Sequence, residues 1–376
     1  MAERGKALHW GKSGRIVDEL RGRIVRGDWA PGARLPNRAE LRQQFATTPA
    51  TIQRALDVLS QENLVVARGR NGTYVTDRLP HRHRLGVVYP FAPTEPQKWH
   101  RMYAVVDEEA RRLVHEGRYD LRLYYGTADR NAPGFRQLMD DLAADRLAGV
   151  FVMGMSLGFF EGTPLLGHPY LRVAATDREK RPGVLPIPSE SFIPPAVQRL
   201  HAEGRRRVGL VYVPSASEMP NTLQSELAKH GMTGHLHWCI PDWPNFGRMS
   251  RTGAYLLARL PRGERPDALI VADDYLAEAA TQGLREGGVR VPEDITVLVR
   301  CNFPYLPPAV TPIIRLGYDF ADLLDRVLEA LLANEPPASI AQPCISEEAW
   351  RATHPADLVP PVIPLAEQHP RVKELT

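Results

Sequence analysis

Cysteine is scarce in this chain, with three in 376 residues, at positions 239, 301 and 344. They are widely spaced, so neither a disulfide framework nor a cysteine-based zinc site is expected. Long apolar runs are also missing. The stretch Leu147 to Met155 is among the longest and falls far short of the ~20 residues that a membrane span needs. The first residues, MAERGKALHWGK, are charged and lack an apolar segment, so no secretory signal is expected and the expected compartment is the cytoplasm. No Gly-x-Ser-x-Gly elbow, phosphate-binding loop or cluster of metal ligands occurs, so neither an enzyme nor a cofactor is expected.

What is present is unevenly distributed. Net charge is only +3, yet residues 1–84 hold 16 Lys or Arg against 8 Asp or Glu, leaving 31 against 36 for the remainder. A basic module joined to a mildly acidic one suggests that the first meets a polyanion, although a solvated basic surface has the same composition. At 376 residues the chain exceeds one typical core and implies two or three domains.

The basic segment has a readable plan. Ile16, Val17, Leu20, Ile24 and Val25 mark one face of a helix, which GDWAPG at 27–32 ends. A second helix starts at Asn37 with Glu40 as its capping-box partner, buries Leu41 and Phe45, and ends near Ala46. Thr48 then caps a third helix whose first position is Pro49, where the missing N–H costs nothing. Ile52, Ala55, Leu56 and Leu59 face a core, while Ala50, Thr51, Gln53, Arg54 and Asp57 face outward. Strand-like segments at 64–68 and 73–76 flank Asn71-Gly72, a strong hairpin signal. Three helices and a hairpin make a winged helix-turn-helix, whose third helix enters the major groove.

The segments GDWAPGARLPNRAEL, TIQRALDVLSQENLV and RGRNGTYV resemble the GntR family of bacterial winged-helix regulators over about residues 13–76. The resemblance implies double-stranded DNA as a partner. Arginines common in that family are replaced here by Ala39, Pro49 and Gln53. Glutamine suits adenine where arginine suits guanine, so the usual family operator is not carried over. The DNA-binding residues expected are Thr48, Ala50, Thr51 and Gln53 on the reading helix, with Arg38, Arg54, Arg68 and Arg70 on phosphates or the minor groove. Each also fits plain exposed surface.

Beyond DRLPHRHRLG, which reads as a polar hinge with solvated His81 and His83, the texture becomes strand–helix alternation. Such alternation implies parallel sheets, and some 260 residues make two sheets with a cleft more economical than one very wide sheet. RPDALIVADDYLAEAATQGLREGGVRVPEDITVLV, at 265–299, resembles the C-terminal half of LacI-type effector domains, which share the fold of type I periplasmic sugar-binding proteins. LHAEGRRRVGLVYV and TPIIRLGYDFADLLDRVLEALLANEPP extend the resemblance over about 84–345. The expected architecture is therefore a winged helix-turn-helix joined to a two-lobed α/β periplasmic-binding-protein-like domain with parallel sheets, an arrangement similar to arabinose-repressor-type regulators. The expected boundaries are 1–78 for the head, 79–84 for a linker, 85–345 for the effector and dimerisation domain, and 346–376 for a Pro-rich tail.

In that fold the ligand lies at the carboxyl ends of strands. The resemblance implies Asp274 as a hydroxyl acceptor, with Asp273 and Asn302 beside it. Tyr89, Phe91 and Trp99 are placed to stack on a sugar face, or equally to pack a core. Three departures stand out: PIPSES at 186–191 lacks the expected Asp, no Arg occurs around 221–223, and RCN replaces a Phe-Asp after the late strand. The expected function is a ligand-responsive transcription regulator, a repressor in the commoner case. It would bind an inverted repeat as a homodimer and respond to a sugar or related polar metabolite, with no membrane partner. The alternatives are a constitutive DNA-binding protein whose second domain only dimerises, and a DNA-binding head fused to an enzyme.

Overall fold

In the computed structural model, residues 12–95, 98–166, 171–175, 184–187, 192–214, 218–243, 247–333 and 337–354 are described. The expected tail beyond residue 354 and most of the PIPSES segment lie outside them. The chain divides into two compact units: residues 1–91, 110–187 and 326–340 form the first, and 92–109, 188–325 and 341–376 the second.

The first unit begins with helices α1 (Lys12–Arg26), α2 (Arg38–Gln44) and α3 (Pro49–Gln61), followed by strands β1 (Val65–Ala67) and β2 (Thr73–Val75). Asn37 caps α2 in a complete capping box with Glu40, and Thr48 caps α3 ahead of Pro49. Their inward faces meet in one core, where Leu20, Ile24, Leu41, Ile52 and Leu59 are fully enclosed. The hairpin is not a two-residue Asn-Gly turn. Val65 pairs with Val75 and Ala67 with Thr73, so residues 68–72 form a five-residue loop containing a 3-10 turn. Gly72 closes it at φ +108°, a conformation that favours glycine.

Residues 79–84, expected to be a polar hinge, are folded. Pro80–His83 form one helical turn, α4, Leu79 joins the core of the head, and His81 is buried. Burial, then the charge of Arg82, lowers the His81 pKa to about 4 against an opposing pull from Asp145. Its expected solvation is thus corrected: Leu79 draws the segment inward by hydrophobic burial.

The chain continues through β3 (Arg84–Val88), α5 (Arg101–His115), β4 (Asp120–Tyr124), α6 (Pro133–Ala143), β5 (Gly149–Val152), β6 (Arg172–Ala175) and β7 (Val184–Pro186). These strands form a parallel five-stranded sheet in the order β4-β3-β5-β6-β7. β6 and β7 were not legible in the sequence, because no amphipathic helix spaces them and the alternation is lost.

The second unit contains α7 (Ile193–Ala202), β8 (Val208–Tyr212), α8 (Met219–Lys229), β9 (Cys239–Pro241), α9 (Arg248–Arg259), β10 (Ala268–Val271), α10 (Ala277–Glu286), β11 (Thr296–Phe303) and β12 (Ile314–Asp319). Helix α11 (Phe320–Leu332) follows, then β13 (Ile345–Ser346) and α12 (Glu347–Thr353). The sheet order is β13-β12-β11-β10-β8-β9, with β13 alone antiparallel. Continuous apolar runs such as Ala268–Val271 are buried throughout, as a sheet covered on both faces requires. Helices α9 and α10 touch at Gly283, where a Cβ would lie 2.1 Å from the Arg251 carbonyl oxygen.

The first residues of the expected tail are folded onto the second unit. Ser346 caps α12, and the Trp350 ring stacks on Phe303 with centroids 5.2 Å apart. A single tryptophan anchors a segment too short to show a period.

Candidate functional site

In the head, the residues expected to meet DNA lie on α3, at the start of α2 and in the wing. Arg38, Thr48, Ala50, Arg54, Arg68 and Arg70 are exposed, and Thr51 and Gln53 are half-buried. The two threonines serve the helix start. Thr48 Oγ1 accepts the Thr51 N–H at 3.3 Å and lies 2.8 Å from the Thr51 hydroxyl. Gln53 donates to Asp57 at 2.7 Å, one turn along the same face, which orients its amide. In the wing, the Arg68 guanidinium sits 4.7 Å above the Tyr74 ring and 3.8 Å from Asp77, so its charge is partly committed. Arg34 was missed by sequence reasoning. It pairs with Tyr74 as an added bridge and its guanidinium passes over Gly72, placing another cation at the wing. Only the pairing, 40 residues along the chain, shows this.

Among the residues expected to bind ligand, the second unit brings four together. In its sheet the strand order reverses between β8 and β10, the switch point at which open α/β sheets bind ligands beyond their carboxyl ends. β10 runs directly into this point. Asp273 caps a 3-10 turn, its Oδ1 accepting the Tyr275 N–H at 3.0 Å. Loss of solvent, and then the charge of Asp274, push the Asp273 carboxyl up to about 7, against the pull of Arg300 and Arg101.

Asp274 is buried and doubly engaged. Asn302, from β11, donates Nδ2 to Asp274 Oδ2 at 3.2 Å. Arg101, at the first position of α5, brings Nη1 to 3.5 Å from the same oxygen and donates to the Asp274 carbonyl at 3.3 Å. The guanidinium lies 4.5 Å above the Tyr275 ring, and the Tyr275 hydroxyl donates to the main-chain oxygen of Trp99 at 3.3 Å. His100 packs edge-on to Tyr275 with its pKa lowered, chiefly by burial. Arg101 Nη2, Asp274 Oδ1 and Asn302 Oδ1 are buried without hydrogen-bond partners. Arg101 was not singled out in the sequence; 173 residues separate it from Asp274, and no spacing rule spans that distance.

Tyr89 and Phe91 belong to the first unit, just after β3, where its sheet also reverses order. Tyr89 is fully buried, its ring stacked on Tyr125 at 5.3 Å. One face is therefore packed within the protein; Phe91 is half-buried.

A winged helix-turn-helix head and two doubly wound sheets define a class: transcription regulators with a DNA-binding head and a periplasmic-binding-protein-like body. Two family models match within the chain. That of the bacterial regulatory proteins of the gntR family covers residues 12–75, and that of the periplasmic binding protein-like domain covers residues 197–346. The chain thus joins a GntR-type head to a periplasmic-binding-protein-like body. It is 19% identical over 340 residues to the arabinose metabolism transcriptional repressor of Geobacillus stearothermophilus, spanning 84% of this chain and 90% of that one. A stretch of 60 residues, 16% of this chain and 26% of the relative, is 33% identical to the Escherichia coli HTH-type transcriptional regulator YieP. Among solved structures, a LacI-family regulator from Chloroflexus aggregans shares the fold with a TM-score of 0.56 at 16% identity, over 70% of this chain and 96% of that one. A Lactobacillus casei LacI-family regulator with bound sucrose gives a TM-score of 0.51 at 18% identity, over 70% and 98%.

Proposed function

We propose that the protein is a cytoplasmic repressor that binds DNA as a homodimer and is controlled by a polyhydroxylated small molecule of the sugar class. The observation that carries the ligand reading is the set of three unpartnered buried atoms around Asp274: one donor on Arg101 and acceptors on Asp274 and Asn302. Buried polar groups are rarely left unsatisfied, and vicinal hydroxyls, each both donor and acceptor, match a mixed set of this kind. Trp99, in the same unit, is a candidate stacking partner for a sugar face. The names of the Geobacillus repressor and of the sucrose-bound Lactobacillus regulator point the same way.

In the head, Thr48, Ala50, Thr51 and Gln53 are assigned to bases, and Arg38, Arg54, Arg68 and Arg70 to phosphates or the minor groove. Two heads held by paired bodies would read an inverted repeat. A ligand that binds one conformation of the body better than another would shift the population of DNA-competent heads.

Calorimetry and thermal melting against pentoses, hexoses and polyols test the ligand reading. One compound should raise the Tm, by the equivalent of about 2.7 kcal/mol at a hundred times its Kd, and should leave Asp274→Ala unshifted. If no compound moves the wild-type Tm, the ligand reading fails and the body serves assembly alone.

A further inference from the structure

The reading helix is tied to the α/β part of the first unit by a run of charges that DNA contact does not require. Glu62 follows the last residue of α3 and is buried. Arg21, on α1, grips it from within the head, with Nε and Nη2 donating at 3.0 and 2.8 Å. Arg146, beyond the end of α6, reaches the same carboxylate from 84 residues away, Nη2 donating to Glu62 Oε1 at 2.8 Å. Its other terminal nitrogen, Nη1, donates to Asp141 Oδ1 at 3.0 Å. Asp141 is buried, and its second oxygen accepts from Arg122 at 2.6 Å and from the Tyr124 hydroxyl at 2.7 Å. Arg122 and Tyr124 both belong to β4, and the next residue, Tyr125, stacks on Tyr89.

We propose that Arg146 is a positioning residue for DNA recognition: its planar fork bridges Glu62 at the end of the reading helix to Asp141 beneath β4, and holds that helix in one orientation on the α/β lobe. The guanidinium suits the task because separate nitrogens serve the two carboxylates in fixed geometry. Removing it leaves Glu62 with Arg21, and Asp141 with Arg122 and Tyr124, so neither buried carboxylate is stranded. Its loss acts on orientation and not on the folding of either part. The β4 end of the run lies beside the Tyr89–Tyr125 stack, at the end of the sheet where ligands bind in this fold. A shift of β4 there is conveyed to the head through this bridge.

The proposal rests on the head's binding DNA, and two readouts on the full-length protein keep the two apart. The first is trypsin cleavage after Arg78 and Arg82, identified by mass. Leu79, Pro80 and His81 are buried in the docked state, so cleavage reports undocking. Arg146→Ala should raise it about tenfold or more, as expected for loss of charge-assisted hydrogen bonds. The second uses DNA selected from a random pool by the wild type, re-made with the two half-sites set at successive spacings. Wild type should favour one spacing, and Arg146→Ala should bind the series nearly evenly with its single half-site affinity within about twofold of wild type. Arg146→Lys should fall between the two. Unchanged cleavage, or an unchanged spacing preference beside a DNA-binding wild type, would overturn the positioning role alone. A wild type that enriches no DNA would overturn the reading of the head as well, whatever the cleavage shows.

Discussion

Gln53 shows how much one side chain decides. Its amide donates to Asp57, which leaves the oxygen and the second N–H for a base edge, the pair that adenine accepts and offers in the major groove. Gln53→Ala should therefore flatten base preference at one operator position, by about 1–3 kcal/mol, while Arg70→Ala should weaken all sequences alike and reduce the salt slope. Competition binding against single-base operator variants separates the two. Equal loss on every variant for Gln53→Ala would move the reading face elsewhere. In the body, Asp273 carries a carboxyl whose pKa is raised from 3.8 to about 7. The folded state then holds a proton that the unfolded chain releases, so this group costs stability as pH rises from 3.8 through 7. Asp273→Asn should match wild-type Tm near pH 4 and exceed it above pH 7. A Tm difference independent of pH would rule this linkage out.

At the level of elements, the sequence spoke most clearly where capping, turn chemistry and period agree. Helix α3 is the best case: Thr48 as the cap, Pro49 at the first position, and the i, i+3, i+4, i+7 series Ile52, Ala55, Leu56, Leu59 all point to the same element. The buried strand β10 is legible as the continuous apolar run in DALIVAD, whereas the importance of Asp273 and Asp274 is implied only by the resemblance to LacI-type effector domains. Elements shorter than a period were not legible. β13 and α12 hold two and seven residues, and their place depends on Trp350 entering a site formed by Cys301, Phe303 and Leu306. Trp350→Ala should destabilise the second unit by about 3–5 kcal/mol, read by urea unfolding. A loss under about 1 kcal/mol would mean that α12 is held by something else.

For the whole molecule, charge separates two tasks. The excess of basic residues lies in the first 84 positions, the segment proposed to meet phosphates; the remainder is mildly acidic, and the site around Asp274 is built of hydrogen bonds within a buried shell. DNA affinity should accordingly fall on the order of 10³-fold between 50 and 200 mM salt if about six phosphates are neutralised, whereas ligand affinity should hardly change. Fluorescence anisotropy at several salt concentrations measures the first and calorimetry the second. A flat DNA titration would remove the electrostatic account of the head.

The sequence by itself determined the capped helices of the winged head and the strand–helix alternation of the body. Each of these is local: caps, turns and periods act within about ten residues. Only the tertiary structure decided that Arg101 faces Asp274, that Arg34 leans on the wing, that residues 79–84 are folded, and that Arg146 joins Glu62 to Asp141. Those contacts span 40 to 173 residues of chain. They form only when packing closes the intervening loops and removes water from the charges, which makes a single ion pair specific enough to orient one part of the protein on another.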